Sequence, residues 1–156
     1  MTSLLRLAVA GLAVLALVAG AGCGGDTKSS NDYVSAVNKV QTDFANNVRK
    51  VGSSTPNGSD PGAAAKKTYA DLGTAIDKAI SDLKGVEAPD KVKDLHNELI
   101  SEMEAFKSQV SDAASSLSSK DPQAIVKAQT KFATSASALG TKISQTIDNI
   151  NKKLQG

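Results

Sequence analysis

Beyond residue 30 the apolar residues of this chain return every three or four positions and nowhere alternate. That period places side chains on one face of a helix, whereas a half-buried strand needs a period of two. Helices are therefore the only regular structure the pattern predicts, and breakers divide it into four. The first helix is expected to begin near Ser30 or Asn31, either of which can cap a first turn that also carries Asp32. Its stripe is Tyr33, Val37, Val40, Phe44, Val48 and Val51, after which Gly52 opens a polar segment to Gly62 whose glycines and prolines stop any helix. The second runs from about Ala63 to Lys84 with Tyr69, Leu72, Ile76, Ile80 and Leu83 on one side. Gly85 suits a left-handed turn after that helix, with Val86 folding back on Ile80.

Ala88-Pro89 marks the third start, since proline fits a first turn and disfavours helix in the residue before it. This helix carries Val92, Leu95, Leu99, Met103, Phe106, Val110, Ala113 and Leu117. Asp121-Pro122 gives the next boundary, cap and first helical residue, ahead of Ile125, Gln129, Phe132, Ala136, Leu139, Ile143, Ile147, Ile150 and Leu154. Four amphipathic helices on short connections bury their stripes on one another, and the expected fold is all-α, an antiparallel four-helix up-down bundle. Steps averaging 3.5 residues favour aligned helices. The alternative is a long hairpin of the third and fourth helices with the first two packed on it. Ala133, Ala136 and Gly140 would let a neighbour approach the fourth helix closely.

The first 22 residues have a different composition. Arg6 precedes an apolar run from Leu7 to Val18, and small residues Ala19-Gly20-Ala21-Gly22 lead to Cys23. This is the layout of a secretory signal. Twelve apolar residues extend about 18 Å as a helix, short of a hydrocarbon core of about 30 Å, so the run reads as a signal to be removed. Ala21-Gly22-Cys23 resembles the lipobox of bacterial lipoproteins, in which the cysteine receives a diacylglyceryl group and becomes the first residue after cleavage. Gly20 stands where that family most often carries leucine. The resemblance implies a signal peptide over 1–22 and lipid on Cys23; the polar residues that follow make 23–30 a lipidated tether, and the helical pattern makes 31–156 the bundle domain. It also implies a protein on the extracytoplasmic side of the cell membrane, partnered with membrane lipid through acylated Cys23. The other cleavage site on offer, Ala19-Gly20-Ala21, would release a free protein beginning at Gly22.

Composition narrows the function. The 18 basic and 16 acidic residues give +2, and removing Arg6 with the signal leaves +1, which provides no electrostatic basis for nucleic-acid binding. Arg6 and Arg49 are the two arginines, tryptophan is absent and aromatics make up 3% of the chain, so stacking platforms and bidentate phosphate clamps have little to be built from. The single cysteine excludes an internal disulfide.

His96, the one histidine, flanks the third stripe and reads as a partly buried residue at the edge of the core. Three positions before it stands Lys93, not the glutamate of a Glu-x-x-His di-iron motif. Asp90, Asp94, Glu98 and Glu102 form a row at four-residue intervals, a candidate docking stripe for a basic partner or, more simply, a solvated face paired with lysines. Thr130, Thr134, Ser135, Ser137, Thr141, Ser144 and Thr146 enrich the fourth helix in hydroxyls, which suit a soluble outer face. Nucleophilic catalysis would need a base beside one of them, and the histidine is on another helix. Asn57-Gly58-Ser59 matches a glycosylation sequon, uninformative behind a bacterial leader, and its loop is a candidate partner contact. No phosphate loop, haem-attachment motif, zinc signature or dinucleotide fingerprint occurs.

No enzyme and no cofactor are expected. The reading is a lipid-anchored helical bundle that works by binding another component of the cell envelope. The mature part resembles small Ala/Ser/Lys-rich helical lipoproteins of bacteria, actinobacteria among them. A small-ligand or metal carrier is the alternative, with Gln129 the clearest polar residue at a stripe position. A sensor ectodomain would need a second apolar span, which the sequence does not display.

Overall fold

The computed structural model describes residues 27–53, 61–117 and 122–155. The leader, Cys23, the Asn57-Gly58-Ser59 triplet and Asp121 lie outside the described residues. Within them the chain forms α1 (Thr27–Ser53), α2 (Pro61–Lys84), α3 (Lys93–Ser116) and α4 (Pro122–Gln155), with one 3-10 turn, Asp90–Val92, leading into α3. No strand occurs among the described residues.

Cross-helix pairs give the directions. Lys39 and Asp43 of α1 feel the charges of Asp82 and Lys78 of α2, respectively, so one number falls as the other rises. Lys84 pairs with Glu104 and Asp77 with Lys107 between α2 and α3. Thr146 of α4 meets Glu102 of α3, and Leu154 meets Lys91 ahead of it. Each helix runs antiparallel to the one before, and close backbone approach follows chain order. The fold is an antiparallel up-down bundle of four helices.

Most of the stripe residues read from the sequence belong to one core cluster drawn from all four helices, while Val51, Ile125 and Gln129 at the stripe ends are half-buried. Ile76 and Ile150 are completely buried, as is Val37. Tyr69 of α2 meets Phe132 of α4 edge-on at 5.4 Å, and Phe106 of α3 stacks on Phe132 at 6.3 Å, arrangements that the ring quadrupoles favour. Ala136 and Gly140 are buried and Ala133 half-buried on α4. Fully burying one large aliphatic or aromatic side chain contributes roughly 1.5–3 kcal/mol, so these stripes dominate the stability.

The helix ends differ from expectation in four places. α1 begins at Thr27, within the stretch expected to act as tether. Residues 27–30 carry no glycine or proline, so nothing local stops the helix from extending upstream of Tyr33. α2 begins on Pro61, two residues early, because proline at the first helical position has no amide that needs a partner.

Gly85 is the third case, and it does not adopt a left-handed backbone. Its amide donates to the Ser81 and Asp82 carbonyls at 3.2 and 3.1 Å, and Val86 donates to Leu83 at 2.9 Å. The last turn tightens to 3-10 bonds, which satisfies the end carbonyls without a glycine-specific cap. The fourth is the start of α3, expected at Pro89: Pro89 sits in extended conformation before the 3-10 turn, and α3 begins at Lys93, whereas α4 starts on Pro122 as the sequence predicts.

Candidate functional site

At one end of the bundle, the first turns of α1, the end of α2, the 85–92 connection, the start of α3 and the end of α4 come together. His96 lies in the first turn of α3 and is 4% exposed, inside the core rather than at its edge. The signal for this was present in the sequence. His96 follows Val92 by four residues and precedes Leu99 by three, so it occupies a stripe position itself.

The imidazole bridges two other helices. Its Nε2 lies 3.1 Å from the Leu83 carbonyl and its Nδ1 3.2 Å from the Tyr33 hydroxyl. A carbonyl only accepts, so Nε2 carries the proton and donates; Nδ1 is then bare and accepts from Tyr33. Tyr33 is 2% exposed, with its ring edge-on to His96 at 5.6 Å. Burial lowers the proton affinity of His96, partly countered by the Leu83 carbonyl. Burial pushes the Tyr33 phenol up to about 12. Both groups are held neutral near pH 7. The partners stand 63 positions apart in sequence, and no local pattern pairs them.

Tyr33 also lines a cleft of about 760 Å³, with Ser29, Asp32 and Ala36 beside it on α1 and the Gly85 to Lys91 connection opposite. Val86, Ala88 and Pro89 are half-buried there, while Asp32, Glu87 and Asp90 are exposed. Lys91 reaches the Leu154 carbonyl at 3.4 Å, joining the connection to the end of α4.

The row of carboxylates is not one surface. Asp90 lies in the 3-10 turn, and Asp94 and Glu98 are exposed on α3. Glu102 is 9% exposed. Four-residue steps drift about 40° per step around a helix, so the row winds from solvent into the seam with α4. There Glu102 accepts from the Thr146 hydroxyl at 3.2 Å through Oε1. Its Oε2 is buried without a partner. Burial raises its proton affinity, and Thr146 and Lys142 pull it back while Glu98 pushes it further up.

Thr146, expected on the outer face of α4, is 4% exposed; it lies four residues before Ile150 and three after Ile143, on the stripe. Thr130, Thr134, Thr141 and Ser144 donate to carbonyls one turn back in their own helix, an arrangement that supplies no general base. Gln129 is half-buried. No group of three or more His, Cys, Asp or Glu side chains suited to a metal occurs among the described residues.

No protein-family model matches the chain, and no curated protein or solved structure matches it either.

Proposed function

We propose that the chain is an exported lipoprotein, held on the extracytoplasmic side of a membrane by acyl chains on Cys23, whose helical bundle serves as a binding module rather than an enzyme. The observation that carries this reading is the leader. A twelve-residue apolar run, Leu7 to Val18, gives way to four small residues directly before the chain's single cysteine. The helical bundle starts four positions later, at Thr27. Four residues span at most about 15 Å, so the bundle end holding Tyr33 and the cleft would lie against the membrane surface. Two or three acyl chains, at about 0.8 kcal/mol per buried methylene, give a stable anchor where one does not. No described helix is long and apolar enough to cross a membrane.

A second reading, a carrier of a small ligand, is favoured by the mixed apolar and acidic cleft beside Tyr33. Intact mass and membrane fractionation after expression in a bacterium separate the two. A mature chain starting at Cys23 with added acyl mass, recovered with membranes, supports the lipoprotein. Cys23→Ser should then release the bundle in folded form. A chain starting at Gly22 without lipid overturns the anchor and leaves the carrier as the better reading.

A further inference from the structure

We infer that the chain of contacts from Tyr33 through His96 to Leu83 is an acid-released latch: protonation of His96 detaches the first turns of α1 from the bundle and opens the cleft they wall. The geometry makes His96 the shared element. It accepts from α1 through Nδ1 and donates to α2 through Nε2 while belonging to α3. A second proton fits only on Nδ1, the atom that accepts from Tyr33. That contact must then reverse, with Tyr33 accepting, and the phenolic hydrogen has no other recorded acceptor among the described residues.

The new charge would lie in a site that is 4% exposed, with no carboxylate bonded to it among the described residues. Tyr33 faces the ring from α1 and the Leu83 carbonyl faces it from α2. Among the described side chains, the charged groups of this end are Asp32 on α1, Asp82 and Lys84 on α2, Glu87, Asp90 and Lys91 in the connection, Lys93 and Asp94 on α3, and Lys152 and Lys153 on α4. Asp82 is half-buried and paired with Lys78 at 2.7 Å; the others are exposed, and none of them bonds the imidazole. A buried charge without a partner is relieved by admitting water.

α1 is the element that yields. Among its residues 29–36, Ser30, Tyr33 and Val34 are the buried ones. The end of α2, in contrast, is closed by the bonds of Gly85 and Val86, and α3 is tied to the connection through the amide of Val92 on Pro89. Because Tyr33 lines the cleft, loss of its bond widens the cleft and loosens the helix nearest Cys23. A chain outside the cytoplasm meets the pH of its surroundings, which gives such a latch something to respond to. The latch itself does not require lipid on Cys23.

Hydrogen exchange on the chain as purified from cells, in mild detergent at pH 7.5 and 5.5 and corrected for intrinsic rates, tests this. A single proton changes the opening equilibrium by up to tenfold per pH unit below the ordinary histidine value of about 6.5. Protection of amides 31–36, the first in α1 with helical acceptors, should therefore fall by up to about tenfold at pH 5.5, while amides 99–110 hold theirs. His96→Gln should remove the pH dependence. Equal protection of amides 31–36 at both pH values, or the same loss in His96→Gln, overturns the latch. Should that variant not fold, the native chain still decides. It has one histidine, whose ring signals need no assignment, and these should titrate below 6.5 together with a change at the Tyr33 ring. Titration at or above 6.5, or without a response at Tyr33, overturns it as well.

Discussion

Glu102 enters the seam between α3 and α4 with one oxygen on Thr146 and the other without a partner. A carboxyl that holds its proton more tightly in the folded chain favours folding only while protonated. Its contribution is full below the unfolded value of about 4.5 and is lost as pH rises through the raised folded value. Glu102→Gln mimics the protonated acid and still accepts from Thr146. It should raise the melting temperature at pH 7 and leave it nearly unchanged at pH 4, as followed by circular dichroism. Equal effects at both pH values would mean that Glu102 is ionised at no cost. His96 has the opposite sign. Its folded value is depressed, so its stabilisation is present above about 6.5 and is lost as pH falls toward the folded value. With Glu102 neutralised, stability between pH 4.5 and 6.5 should therefore rise more steeply with pH. Both residues are buried at stripe positions, three or four steps from Val92, Leu99 and Phe106, although their polarity reads as the edge of the core for His96 and a solvated face for Glu102. Their partners were not legible, because contacts 63 and 44 positions apart depend on how helices rotate against each other, which periodicity leaves free.

At the scale of the element, α4 is the exception. It has 34 residues against 24 in α3, a difference of about 15 Å at the helical rise. None of residues 123–131 is buried, and Val126 is 57% exposed, so the excess lies at the start of α4 beyond the shared core. The sequence carried the apolar stripe back to Ile125 and Gln129, and both are only half-buried; a stripe tells which face turns inward, not how far the neighbouring helices extend. Helix starts were similarly readable only where a breaker has one meaning. Pro122 does, and α4 begins on it, whereas Pro89 only precedes the 3-10 turn and Pro61, read as a helix stop, begins α2. Glycine does not: Gly85 follows α2 without the left-handed turn that its flexibility allows. Gly73 is a cleaner case, within α2 and with open space where a side chain would begin. Gly73→Ala removes backbone freedom from the unfolded chain and clashes with nothing, so it should stabilise the protein by about 1 kcal/mol in urea unfolding. A loss of stability would mean that α2 packs more closely there than its open side indicates.

For the molecule as a whole, a single core cluster shared by all four helices implies that they unfold together. Phe132 is the point at which this is best tested. It touches Tyr69 of α2 and Phe106 of α3 from α4, and it lies far along the bundle from the Tyr33 end. Phe132→Ala removes a ring that is 6% exposed and should cost about 3–5 kcal/mol, a large share of the 5–15 kcal/mol expected for a domain of this size. The chain has two tyrosines and no tryptophan, so Tyr69→Phe leaves Tyr33 as the sole reporter at the opposite end. If the bundle is one cooperative unit, Tyr33 fluorescence and helical circular dichroism will give the same urea midpoint in the Tyr69→Phe background. Phe132→Ala will then lower both midpoints equally, although Phe132 and Tyr33 share no contact. If Phe132→Ala instead lowers the dichroism midpoint while Tyr33 keeps its own, the two ends are separate folding units. The Tyr33 end, with its cleft and histidine, would then hold together without the aromatic cluster, and opening at acid pH would be a property of that end alone.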